Sequence, residues 1–295
     1  MASGMRLVLV RHLWGVTEPW ETAIPRMAAA GFTAIEVPVE RCTANEAERL
    51  RALLAAHGLG LVAQAFTHGA DVPAHLAALR ASLASAAAWS PRLLNVQSGS
   101  DAWSRDEALR FYREAARIVA DQALQVAHET HRGRCFNTPW ATRDVLEAVP
   151  GLRLTADFSH WVCVADRLVL DEEPALLQLV AHHTVHLHAR VGYAGGPQVP
   201  DPRAPAWHAE VAAHERWWDV VWGSMAARGL AECTLTPEFG PAPYLHHAPF
   251  SDAPVADLWE VCAWQAERQA ERFRAFNQQE GQAIHSRARG AGGTS

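Results

Sequence analysis

The residues able to do chemistry in this chain are carboxylates and imidazoles. They recur in order: Glu129 within HETHRGR, Asp157 within ADFSHW, His188 within HLHARVG and Glu238 within LTPEFG. Three carboxylates and one imidazole make a mostly oxygen donor set. Such a set suits Mn²⁺ or Co²⁺, with Zn²⁺, Fe²⁺ or Mg²⁺ as further candidates, whereas a Ca²⁺ site normally lacks the imidazole. Gathered without a cation, the three acids would repel one another, and one divalent ion is the natural compensation. Little else in the chain competes for the chemistry. All 26 basic residues are arginine. The absence of lysine excludes a Schiff-base aldolase, pyridoxal phosphate held on lysine, and a phosphate loop with its lysine. The cysteines are Cys42, Cys135, Cys163, Cys233 and Cys262, an odd number with no CxxC. That pattern argues against a disulfide framework and a structural zinc knuckle.

Something must bring four residues spread over 110 positions to one place. Short β-branched runs alternate with longer helical runs along the chain. Strands are expected at 7–10, 33–37, 59–66, 92–97, 124–129, 152–158, 184–191 and 233–238. Helices are expected at 21–30, 45–57, 73–89, 105–122, 142–148, 174–182, 210–228 and 256–276. Eight such pairs predict an α/β fold, a closed (β/α)8 TIM barrel, as one domain over residues 1–277. An open doubly wound sheet usually announces a glycine fingerprint after its first strand. Here that turn is His12-Leu-Trp-Gly15. Residues 278–295, which end GAGGTS, are expected to form a flexible tail.

Strand side chains alternate, so every second residue faces the barrel interior. The pattern predicts that Glu129, Asp157, His188 and Glu238 point inward at the C-terminal ends of strands five to eight, the face where such barrels hold their active sites. The earlier strands end in His12, Glu36, Gln64 and Gln97. His186 shares the face of His188 but lies deeper. Arg190 is one step nearer the rim, where its guanidinium can grip a carboxylate or phosphate, or pair with a neighbouring acid such as Glu238. Gln97 and His131 are further candidates for substrate contact. His182, His183, His208 and His214 are expected on solvated surfaces. The twelve tryptophans are expected mainly in packing or subunit contacts, with Trp14, Trp103, Trp161 and Trp207 placed to line a pocket.

These segments resemble the xylose isomerase-like barrel superfamily, also called the sugar phosphate isomerase/epimerase family, and in particular its ketose 3-epimerases. The resemblance spans the barrel and implies one Mn²⁺ or Co²⁺ on Glu129, Asp157, His188 and Glu238. It implies that Glu129 and Glu238 also exchange the substrate proton, and that His160 holds substrate oxygens. The substrate expected is a sugar, keto-sugar or polyol-derived molecule. The epimerases carry a Glu and an Arg shortly after the strand-seven His. This chain has Arg190 only two residues on, then a Gly/Pro-rich loop, Gly192 to Pro205, readable as a lid, a specificity loop or a subunit contact. The same apparatus also supports aldose–ketose isomerisation or dehydration of a keto-polyol.

A phosphodiesterase similar to endonuclease IV shares the barrel and the Asp-x-x-His spacing of Asp157 and His160. It needs extra histidine ligands where this chain has Gln64, Gln97 and Asp201-Pro-Arg203. A net charge of −6 also opposes nucleic acid and anionic membrane. A non-catalytic sugar-binding barrel is the remaining alternative. The start, MASGMRLVLVRH, turns polar too soon for a signal peptide, which predicts a cytoplasmic protein with a small-molecule carbohydrate partner, a homodimer being the candidate assembly.

Overall fold

Inward and outward faces of the strands carry different residues, and the barrel follows from that division. The structure is a computed structural model that describes residues 4–291, with side chains as far as Gln282. The strands are β1 Arg6–His12, β2 Ala34–Val37, β3 Gly60–Phe66, β4 Leu93–Gln97, β5 Val126–Glu129, β6 Leu154–Ala156, β7 Thr184–His188 and β8 Glu232–Thr236. Each pairs in parallel with the next, and β1 pairs with β8 to close the barrel. Inside, Val8, Val10, Ala34, Val62, Leu93, Ala127 and Val185 form one dry plug. The residue two further along several of these strands is polar: Glu36 after Ala34, Asn95 after Leu93, Glu129 after Ala127. The barrel is therefore apolar at its N-terminal end and polar at its C-terminal end.

The helices are α1 Trp20–Ala29, α2 Ala44–His57, α3 Val72–Ala87, α4 Arg105–Ala120, α5 Pro139–Ala148, α6 Ser159–Ala165, α7 Pro174–His183, α8 His208–Ala227 and α9 Leu258–Ala291. Local chemistry starts them. Thr43 with Glu46 and Ser104 with Glu107 form capping boxes at α2 and α4, each satisfying two backbone donors. Their apolar faces pack with Ile24, Met27, Leu50, Leu79, Trp217 and Trp222 against the outside of the strands.

Several boundaries differ from the sequence reading. β6 is three residues long, because its register against β7 shifts between Leu154 and Thr155. Asp157 consequently sits just beyond the strand. The short helix α6 begins there and was not expected. The helix α9 runs through 278–291, where a loose tail was expected; no proline interrupts that stretch, and isolated glycine costs a helix only about 1 kcal/mol. Residues 292–295 of that tail lie outside the described residues. His183 is buried and meets the Leu152 carbonyl through Nδ1 at 2.9 Å.

His214 is the larger correction. It is buried beside Trp217 and Trp218, and not solvated. Its Nδ1 faces the Glu210 carbonyl at 2.8 Å, and its Nε2 accepts the backbone N–H of Gly192 at 3.2 Å. A ring that must accept at Nε2 has to be neutral. Burial lowers its pKa from 6.5 to about 4. The folded value lies below the unfolded one, so this contribution is complete above pH 6.5 and is lost as pH falls towards 4. The fall in Tm between pH 7 and pH 4.5 should therefore be smaller in His214→Gln than in the parent chain. The difference should be roughly 5 °C, at about 2–4 °C per kcal/mol for a chain of this class. Parallel melting curves with equal slopes would show that His214 titrates normally.

The same contact fixes the loop after β7. Gly192 lies so close to the Ser159 backbone that a Cβ there would come within 2.4 Å of the Ser159 carbonyl oxygen. Val199 N–H returns to the Val191 carbonyl at 2.9 Å. The Gln198 side chain makes a two-way amide clamp on Gly240, donating to its carbonyl at 3.1 Å and accepting its N–H at 2.8 Å. Residues 196–199 are buried. This loop is thus stitched to the segment after β8 and to α8, which holds it in place.

Candidate active site

The four strand-end residues meet. Glu129, Asp157, His188 and Glu238 each offer one ligand atom, and these atoms all lie within 4.8 Å of one another. All four residues are buried. β5 and β7 end in Glu129 and His188, and the segments just beyond β6 and β8 carry Asp157 and Glu238 to the same site.

His188 links two layers of carboxylates. Its Nδ1 lies 2.9 Å from Glu238 Oε2 and 3.8 Å from Glu129 Oε1. Its Nε2 lies 3.1 Å from Glu36 Oε1. Glu36 also accepts from Asn95 Nδ2 at 3.0 Å and from Thr236 Oγ1 at 2.7 Å. Asn95 donates upward as well, to Glu129 Oε2 at 2.8 Å, and Gln97 donates to Glu129 Oε1 at 3.2 Å. These bonds satisfy the Glu36 carboxylate, while Asn95 Oδ1 beside it has no hydrogen-bond partner. Above it, His188 Nδ1 and Glu238 Oε2 face each other closely without an aligned hydrogen bond, and Arg190 Nη2 lies 3.1 Å from Glu238 Oε2. Two buried ligand-type atoms that lack an aligned hydrogen bond and converge on one point, with two more carboxylates at hand, fit a divalent cation. A second set of close ligand atoms, Glu36 with His186 and His188, has its carboxylate occupied by donors. A third is Glu129 with His131 and His160.

The electrostatics separate the two glutamates. Burial, with the like charges of Glu238 and Asp157, pushes Glu129 up to about 8 against the pull of His188. Burial also opposes ionisation of Glu238, but His188 and Arg190 outweigh it and bring the carboxyl down to about 2. Neighbouring carboxyls whose environments push their pKa values apart form an acid and a base. For His188, burial favours the neutral ring, yet Glu238, Glu36 and Glu129 together hold its pKa well above the usual range.

Arg190 stands in the middle of this cluster. It is buried, with Nη2 2.5 Å from Asp157 Oδ2, 3.1 Å from Glu238 Oε2 and 2.9 Å from His160 Nε2. Of the two fates expected for this residue, the structure shows the pairing with acids, and the residue also forms part of a cavity wall. That cavity, about 520 Å³, opens at the C-terminal end of the barrel. Gln97, His131, Arg190 and Glu238 line one side of it. His160 sits behind, its ring 3.9 Å from that of His131. Burial and Arg190 bring His131 down to about 3, so it is a neutral donor or acceptor at neutral pH.

Sequence reasoning missed Glu36 and Asn95 as members of the constellation. Glu36 was visible as a strand-end residue, and the alternation that selected Gln97 also selects Asn95. Of the tryptophans expected at a pocket, Trp14 lines this cavity. Trp161 is core and donates its indole N–H to the Phe136 carbonyl at 2.9 Å. Trp103 packs on His75, and Trp207 on Tyr193.

Comparison with known proteins bears on the fold. No curated protein matches the sequence significantly. Among solved structures, a D-allulose 3-epimerase from Methylomonas sp. in complex with D-allulose superposes with TM-score 0.56 at 16% identity, covering 92% of this chain and 99% of its own. A probable 3-DHS dehydratase, AsbF, from Bacillus anthracis gives 0.58 at 14%, covering 89% and 98%. A xylose isomerase-like TIM barrel protein from Mycobacterium smegmatis, in complex with magnesium, gives 0.59 at 14%, covering 88% and 94%. At these identities the likeness is one of fold. The family model of the xylose isomerase-like TIM barrel matches residues 24–199, more than half of the chain. With eight parallel strands closed into a barrel and that match, the chain belongs to the xylose isomerase-like TIM barrel family.

Proposed function

We propose that this protein is a divalent-metal-dependent isomerase or epimerase that moves a proton at a carbon next to a carbonyl on a sugar, keto-sugar or polyol-derived substrate. The observation that carries the reading is the convergence of ligand atoms of Glu129, Asp157, His188 and Glu238 within 4.8 Å, with no aligned hydrogen bond at His188 Nδ1 or Glu238 Oε2. These four residues would hold the ion, Mn²⁺ or Co²⁺ by donor type, with Zn²⁺ or Mg²⁺ as alternatives. When bound, the ion supplies positive charge to adjacent carbonyl and hydroxyl oxygens and so acidifies the C–H between them.

The chain's own residues do the rest. Glu238 lines the cavity and is ionised, so it is the base that takes the proton. Glu129 is the partner acid, and Gln97 orients its Oε1. Arg190 carries the positive charge nearest both Asp157 and Glu238 and offers its guanidinium to substrate oxygens. His160 holds Arg190 from behind. Replacing His160 by alanine should raise KM or lower kcat while stoichiometric metal persists. Loss of metal from that variant would instead make His160 a ligand.

Dehydration of a keto-polyol is a second reading, favoured by the presence of a probable dehydratase among the similarly folded structures. It begins with the same proton abstraction. The experiment that tests the proposal is elemental analysis of the purified protein, coupled to a screen of ketoses and keto-polyols in D₂O followed by NMR. Deuterium should appear at the carbon whose configuration or bonding changes. Turnover without it would favour a hydride shift, and a metal-free protein of full activity would end the reading. The five cysteines are free thiols, which suits a reducing, cytoplasmic setting. No described helix is long and apolar enough to cross a membrane.

A further inference from the structure

The cavity is longer than its acidic floor. Besides Glu238 and Arg190, its wall is built from the ends of β1 to β3 and includes Trp14, Trp20 and Phe66. Trp14 is held in place by the absence of a side chain at Gly240, where a Cβ would fall 2.0 Å from the indole. Tyr244 meets the same indole edge-on, with ring centroids 5.1 Å apart. At about 520 Å³ the space is in the range of clefts that enclose drug-sized ligands, of about 300–1,000 Å³. It therefore extends beyond what the groups around the proton-transfer site can contact.

Arg41, an exposed residue, belongs to the same wall. It closes the single-turn 3₁₀ segment Val39–Arg41 that follows β2. The turn is anchored: Val39 is buried, and Glu40 accepts from Ser82 Oγ at 2.8 Å. The guanidinium of Arg41 lies over the Phe66 ring, 4.4 Å from its centroid. Among the described residues no carboxylate pairs with it and no side chain bonds it. Arg190, by contrast, is buried among acids. An arginine seated on an aromatic face keeps its N–H donors in the guanidinium plane for a bidentate partner.

The geometry points to Arg41 as a specificity-determining residue that reads a carboxylate on the substrate, at the end remote from the reacting carbons, with the intervening sugar body against Trp14 and Trp20. The substrate class is then a sugar acid, not a neutral sugar. This inference rests on the sugar-converting reading above and narrows it. A carboxylate monoanion is favoured over a phosphate dianion because Arg41 is a single cation whose planar pair of N–H donors matches one carboxylate.

The test is binding of defined probes to the full-length, Mn²⁺-loaded chain, read by calorimetry, which needs no turnover. D-glucuronate should bind about tenfold more tightly than D-glucose, as a charge-assisted bidentate contact implies. Raising the salt concentration should shrink the difference, and Arg41→Gln should abolish it while leaving D-glucose affinity in place. Equal affinity for the two probes in the parent protein would overturn the inference, and so would a preference that survives Arg41→Gln, since the carboxylate would then be read elsewhere. Tighter binding of D-glucose 6-phosphate than of D-glucuronate would overturn the assignment to a carboxylate. In these three outcomes sugar still binds, and the proposed function stands. If none of the probes binds the parent protein, both the inference and the sugar-converting reading fall.

Discussion

Replacing Glu238 by glutamine should lower kcat by about 10²–10⁴-fold, the range that a positioned acid–base group contributes, while metal affinity falls far less. The amide keeps the shape and one oxygen donor of the carboxylate but cannot accept a proton. Glu238 is singled out from Glu129 by two observations. It lines the cavity, and its pKa is held near 2 by His188 and Arg190 against the effect of burial, so it is ionised at neutral pH. The expected pattern is a fall of kcat and kcat/KM together, since an interaction made in the transition state is removed. Deuterium incorporation from D₂O should slow to the same degree. A variant that loses its metal and its activity in parallel would assign Glu238 a ligand role only. A variant with near-parental kcat would remove it from the mechanism.

Glutamine at position 36 should weaken Mn²⁺ binding by about 10–100-fold, the usual cost of losing the partner that orients a ligating histidine. The carboxylate of Glu36 faces three donors at once: Asn95 Nδ2, Thr236 Oγ1 and the Nε2 side of His188. A carboxylate has lone pairs for all three. An amide turns an N–H₂ group towards one of them, so a buried donor meets a donor. The His188 ring then loses the contact that presents Nδ1 to Glu238 and Glu129. Calorimetric titration of the metal-free variant is the measurement. Unchanged affinity would show that Glu36 plays no part in orienting His188. Complete loss of binding would move the ion down to the set formed by Glu36, His186 and His188.

Much of this site was legible before any coordinates, for reasons that lie in local periodicity. A strand turns its side chains over every two residues, so Ala127–Glu129, Thr234–Thr236–Glu238 and His186–His188–Arg190 each declare a shared face. Parallel strands joined by helices put all their C-terminal ends on one side. Together these rules place Glu129, Asp157, His188 and Glu238 near one another without knowledge of a single distance. Arg190 was legible as an inward residue, and the absence of lysine narrowed the chemistry.

The contents of each layer were not legible, because they depend on which residues from different strands reach the same height. Asn95 reads as one more polar residue in β4 until the register of β4 against β5 sets it beneath Glu129. Glu36 reads as an ordinary strand-end acid until closure of the barrel brings β2 within reach of β7 and β8. His214 carries the signature of a solvated helical histidine, and only the packing of α8 on the β7 loop makes it a buried acceptor for Gly192. The loop from Gly192 to Pro205 has the composition of a mobile segment, yet Gln198 fixes it through a contact 42 residues away. The sequence by itself determined the barrel, the polar end and the donor types, because periodicity and composition are properties of the chain. Only the tertiary structure decided which carboxylates share a layer, which one faces the Nε2 side of His188 and which arginine lies over Phe66, because those follow from distances in space and from burial that no short segment encodes.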